Sequence, residues 1–150
     1  NPTSRIQLNQ GDLVLDIGCG IGIDCFLASQ KVREQGKVIG IDITQEIINL
    51  AFLAKQEMNF KNISFMNGDM QMLPIKSAVV DVVIGNFSIS NLPTPTAIFS
   101  EIFRVLKYDA FFCFSDMVIR GNTKRRKRPN QLWPFSAAKL VEADTYLKLE

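Results

Sequence analysis

Val14-Leu15-Asp16-Ile17-Gly18-Cys19-Gly20-Ile21-Gly22 is the stretch that decides the fold. An apolar run that ends in alternating glycines has the form of a buried strand turning tightly into a helix. Residues 12–17 make the strand and 22–34 the helix, with Phe26, Leu27 and Val32 on its inner face. Lys37–Asp42 reads as a second buried strand. Thr44 is placed to cap a helix with Ile47, Ile48, Ala51 and Phe52 at inward spacing. Residues 63–66 form a third strand, followed by Asn67-Gly68-Asp69, and residues 79–84 a fourth, left through Gly85-Asn86. A helix over 96–106 turns Ile98, Phe99, Ile102, Val105 and Leu106 inward. Residues 110–114 make a fifth strand and 137–149 a last helix.

Strands that are apolar throughout, alternating with helices, predict an α/β fold with a mostly parallel sheet covered on both faces. Right-handed crossovers make it a doubly wound, Rossmann-like sheet, which binds ligands at the carboxyl ends of its strands. Asp16 to Gly22, Asp42, Asp69 and Asn86 all follow predicted strand ends, so four polar features converge on one edge.

The bulk composition narrows the function. The 150 residues suit one domain, and a hydrophobic fraction of 47% supports a real core. A net charge of +2 does not call for a nucleic-acid partner. The chain has no histidine, which removes His-based acid–base chemistry and His metal ligation. Cys19, Cys25 and Cys113 include no CxxC pair, so neither a disulfide scaffold nor a metal site is expected, and a cytoplasmic setting fits. No apolar run reaches the roughly 18 residues of a membrane span. The start at Asn1-Pro2 without Met suggests a piece of a longer protein.

Glycines at 18, 20 and 22 give G-x-G-x-G, and Ile23 breaks the G-x-G-x-x-G spacing of dinucleotide loops. An acidic Asp16 would repel a pyrophosphate but attract an ammonium. The amino-acid end of S-adenosylmethionine carries both needed charges: its ammonium suits Asp16 and its carboxylate the loop amides and helix N-terminus. Asp42, 20 residues past Gly22, suits the ribose hydroxyls, and Asp69 the adenine amino group. Ile43 and Met70 are candidate walls for the ring, with Cys19 in the loop and Asn86 closing the methionine end.

These residues resemble the class I S-adenosylmethionine-dependent methyltransferases from Asp12 to about Asp116. The resemblance includes the glycine loop, Val38-Ile39-Gly40-Ile41-Asp42, Asn67-Gly68-Asp69, Val80-Asp81-Val82-Val83-Ile84 and Glu101-Ile102-Phe103-Arg104-Val105-Leu106-Lys107. It implies one cofactor-binding domain over 1–150, a small-molecule methyl acceptor and no membrane partner. It also implies a sheet of seven strands, of which the last two are not legible here, so the edge they would cover is either exposed or covered by a second copy or a missing segment.

A narrower likeness to arsenite methyltransferases lies in Asn1-Pro2, Gly22-Ile23-Asp24-Cys25-Phe26-Leu27-Ala28 and Lys37-Val38-Ile39-Gly40-Ile41-Asp42-Ile43-Thr44. It implies Cys25 as a thiol ligand for the substrate, and a helix N-terminus can lower such a thiol's pKa. The family's later arsenic-binding cysteines have no clear counterpart, with Ser136 near the place of one. Lys107-Tyr108-Asp109-Ala110 replaces the Pro-Gly-Gly turn of many relatives.

No catalytic acid or base is assigned. The competing reading is a degenerate or truncated domain that binds cofactor without transferring methyl groups. Lys124-Arg125-Arg126-Lys127-Arg128 reads as a solvated basic loop, Phe87, Ser88, Ser90 and Asn91 as candidate cleft residues, and Trp133 and Phe135 as a candidate lid.

Overall fold

The computed structural model describes residues 2–88 and 95–116. Ser90, Asn91, the basic run 124–128, Trp133, Phe135, Ser136, the helix expected over 137–149 and any sixth or seventh strand lie outside the described residues. A short 3-10 turn at Pro2–Ser4 leads into β1 (Leu13–Ile17), α1 (Ile23–Val32), β2 (Lys37–Asp42), α2 (Gln45–Glu57), β3 (Ile63–Asn67), β4 (Val80–Asn86), α3 (Pro95–Val105) and β5 (Leu106–Ser115). The strands form one sheet in the order β3-β2-β1-β4-β5, and every neighbouring pair is parallel. The order reverses between β1 and β4, which puts the switch point beside the glycine loop.

Alternation along the strands divides the core in two. Val14, Val38, Ile63, Val82 and Ile84 pack with Cys25, Ala28 and Val32 of α1 and Ile48 of α2. Leu15, Ile17, Ile41, Val80 and Val83 pack with Ile98, Ile102 and Val105 of α3 on the other side. Helices therefore cover both faces, as the apolar strands predict.

Three local expectations change. The inner face of α1 is Asp24, Cys25, Ala28, Ser29 and Val32, while Leu27 is exposed and Phe26 only partly buried. Thr44 occupies the cap position of α2 without a side-chain hydrogen bond, and Phe52 is exposed. β5 begins at Leu106, directly after α3, rather than at residue 110. Its register against β4 shifts between Val80 and Val82, with Asp109 at φ 61°. The chain thus replaces a glycine turn with an irregular strand start.

Candidate cofactor site

The loop after β1 is tied to β2 by backbone. Gly18 and Cys19 both donate to the Ile41 carbonyl, at 2.8 and 3.0 Å, and Gly22 donates back to the Cys19 carbonyl at 2.9 Å. Gly18 and Gly20 have φ of 67° and 54°, a region that side chains disfavour. A Cβ on Gly18 would fall 2.6 Å from Ser88 Cβ and 3.6 Å from Met70 Cε. The loops leaving β1, β3 and β4 therefore meet at that residue. A Cβ on Gly20 would meet nothing within 4 Å, so the main chain there is open to an approaching ligand.

Asp42 pins the loop. Its Oδ2 accepts from Gly20 N at 3.0 Å and its Oδ1 from Thr44 N at 3.0 Å. A carboxylate has about four acceptor sites, so two bonds leave capacity for ligand hydroxyls. Asn67 Nδ2 donates to the carbonyls of Asp42 and Ile43 at 3.1 and 2.8 Å, which holds the ends of β2 and β3 together. Asp69 Oδ1 accepts from Gln71 N at 2.9 Å and shapes the turn after β3. Ile43 is exposed and Met70 partly buried.

Asp16 and Cys25 sit deeper than the sequence implies. Asp16 shares the face of Val14, beneath α1, and is 1% exposed. Burial, reinforced by the charges of Asp24 and Asp42 and only partly opposed by a hydrogen bond from Cys25, raises its carboxyl pKa to about 8. Asp16 thus holds its proton to higher pH than an exposed aspartate does. Cys25 is fully buried and its Sγ donates to Asp16 Oδ2 at 3.2 Å. Burial, with Cys19 and Asp16 adjacent, pushes this thiol well above its usual pKa. The expected lowering by the helix terminus is reversed because desolvation of a thiolate outweighs a partial dipole charge. No group of three or more potential metal ligands occurs among the described residues.

Sequence reasoning missed two members of the site and undervalued a third. Asp24, in the first turn of α1, accepts from Thr3 Oγ1 at 3.3 Å and from Asn86 Nδ2 at 3.0 Å. Asn86 Oδ1 and Ser88 Oγ are buried without a hydrogen-bond partner among the described residues. The available signal was an acidic residue at the start of α1, on the same helix face as Cys25 and Ala28. The residues fit S-adenosylmethionine: a loop backbone with open space at Gly20, a carboxylate with spare acceptor capacity at the end of β2, and orphaned polar atoms at the end of β4.

A family model for the methyltransferase domain matches residues 8–147. The chain is 36% identical over 118 residues to the arsenite methyltransferase of Halobacterium salinarum, covering 79% of this chain and 30% of that protein. It is 38% identical over 108 residues to the demethylmenaquinone methyltransferase of Lactococcus lactis, covering 69% of this chain and 43% of that protein. The chain thus spans less than half the length of these relatives. A SAM-dependent methyltransferase structure from Aquifex aeolicus superposes with a TM-score of 0.77 at 25% identity, over 95% of this chain and 71% of that one. The parallel sheet, the glycine loop at its switch point and these likenesses agree: the chain belongs to the class I S-adenosylmethionine-dependent methyltransferase family.

Proposed function

We propose that this chain is the cofactor-binding part of a methyltransferase that acts on a small molecule. The observation that carries the reading is the open Gly20 main chain, pinned by Asp42, with Ser88 at the end of β4 packed against Gly18 of the same loop. When bound, the cofactor supplies an electrophilic methyl group on a positively charged sulfur. The residues then bind and orient. The N-terminus of α1 receives the carboxylate. Asp42 accepts from the ribose, while Asp69, Ile43 and Met70 surround the adenine. Cys19, Gly18 and Gly22 shape the loop. Positioning of this kind is the protein's main contribution to in-line displacement.

The acceptor is the finer part of the proposal. Arsenite is favoured by the printed name of the Halobacterium relative, which is 36% identical, and by the Asp24-Cys25 pair. Against it stands the buried Cys25 thiol, which is committed to Asp16. A second proposal concerns the sheet: β5, the outer strand among the described residues, exposes Tyr108, Phe111 and Phe112, and a second copy or further chain would cover it.

Calorimetric titration with S-adenosylhomocysteine tests the cofactor site, with micromolar binding expected. A methyl-transfer assay with arsenite, thiols and quinol-like phenols then separates an active enzyme from a binding-only domain. Absence of nucleoside binding sinks the whole reading; binding without transfer leaves only the binding domain. Arsenite turnover unchanged in Cys25→Ser excludes that thiol as a ligand.

A further inference from the structure

Thr3, Asp24 and Asn86 form a relay that the glycine loop itself does not require. Thr3 Oγ1 donates to one Asp24 oxygen at 3.3 Å and Asn86 Nδ2 donates to the other at 3.0 Å. Thr3 and Asp24 are 2% and 6% exposed, so the relay is built into the core behind the site. A carboxylate offers only acceptors, which forces the amide nitrogen of Asn86 toward Asp24 and its carbonyl oxygen away. That oxygen is buried and, among the described residues, unpartnered, as is the hydroxyl of Ser88 two residues on. A Cβ on Gly18 would fall 2.6 Å from Ser88 Cβ, so Ser88 lies against the first glycine of the loop. Buried polar atoms without partners are costly, and two of them at the end of one strand call for a ligand with polar groups.

We propose that Asp24, held by Thr3, is a positioning residue that turns the Asn86 carbonyl oxygen toward the ammonium of the cofactor's amino-acid end, with Ser88 Oγ as a second polar contact there. The inference rests on the reading of this edge as the cofactor site. The partner of a carbonyl oxygen must be a donor. The ribose and adenine are assigned to the ends of β2 and β3, which lie across β1 from β4. The end of β4 is therefore left for the amino-acid portion, whose ammonium carries three donors. Asp24 also places its carboxylate behind the amide, which favours a cation in front of it. The Ser88 hydroxyl can donate to the adjacent carboxylate of the same ligand end.

Titration of the whole chain with two nucleosides tests the relay. S-adenosylhomocysteine carries the amino-acid end and 5′-methylthioadenosine lacks it. Asp24→Asn and Asn86→Ala are expected to weaken S-adenosylhomocysteine roughly tenfold to a hundredfold, the effect of losing a hydrogen bond to a charged group. Methylthioadenosine affinity is expected to stay within about twofold on the same reasoning, since the adenosine contacts are untouched. Thr3→Val should give a smaller loss of the same selective kind, rescued by Thr3→Ser. Equal weakening of both ligands means damage to the loop and overturns the proposal, as does unchanged S-adenosylhomocysteine binding. Should Asp24→Asn fail to fold, Thr3→Val and Asn86→Ala carry the same comparison. Wild-type chain that binds neither nucleoside defeats the cofactor-site reading itself, and the relay's role with it.

Discussion

Gly18 joins three strand ends at one residue. Its φ of 67° and the 2.6 Å separation of a would-be Cβ from Ser88 Cβ leave no room for alanine. Gly18→Ala is expected to lower stability by about 1–3 kcal/mol through backbone strain and displaced packing, measured by urea denaturation. It should also weaken S-adenosylhomocysteine, because Ser88 must move. Asp42 has a different vulnerability. Asp42→Asn retains the shape but turns an amide N–H₂ toward one of the two backbone donors, Gly20 N or Thr44 N. Titration should show an affinity loss of roughly tenfold or more; an affinity within twofold of wild type removes Asp42 from the site. Asp42 and the glycines were legible because their roles follow from residue type and strand position. The depth of Asp16 was not, because it depends on which face α1 covers. Val14 and Asp16 share a face by alternation, and only the packed helix shows that this face is closed.

α3 supplies a clamp of a different kind. Arg104 donates to the carbonyls of Leu73 and Ile75 at 3.0 and 2.8 Å, and pairs with Glu101 at 2.6 Å. Glu101 in turn accepts from Leu73 N at 2.7 Å. Two side chains one helical turn apart thereby fix the segment between β3 and β4, just beyond Asp69 and Met70. Arg104→Met should lower stability, since it leaves backbone carbonyls without their partner. Faster amide hydrogen exchange at Leu73 and its neighbours is the measurement; unchanged exchange there shows that the clamp is dispensable. Arg104→Lys should rescue little, because an ammonium cannot span two carbonyls and a carboxylate as a planar guanidinium does. At this scale the sequence was legible for β2, whose bounds match, and for α3, which shifts by one residue at each end. Periodicity fixes such elements. The start of β5 was less legible, because residues 107–110 bulge out between two paired positions, Val80 with Leu106 and Val82 with Phe111, so the strand begins before its regular ladder does. That outcome depends on pairing with β4, which local propensity does not report.

Across the whole molecule, the buried Asp16 makes folding stability depend on pH. Its carboxyl titrates near 8 in the fold and near 3.8 when free, so the folded state holds the proton more tightly. A pKa raised by folding gives stability that is complete below the free value and lost as pH rises toward the folded one. The slope approaches about 1.4 kcal/mol per pH unit between the two values. Glu101 acts in the opposite direction. The hydrogen bond from Arg104 lowers its pKa, so its contribution is present at neutral pH and disappears on acidification below its ordinary range. The two effects occupy different pH windows, so the chain without added cofactor should be most stable near the lower end of the Asp16 range. Urea denaturation at pH 5, 6, 7 and 8 should show a falling midpoint for the wild type. Asp16→Asn cannot ionise and should flatten that decline while leaving the acid limb in place. Parallel curves for the two proteins from pH 5 to 8 contradict a neutral Asp16 in the fold. The comparison also bears on Cys25, whose thiol donates to this carboxyl: a carboxyl neutral at pH 7 keeps the pair uncharged and the thiol closed to soft electrophiles. Alkylation of Cys25 should accordingly stay slow across the same pH range and quicken only on addition of urea.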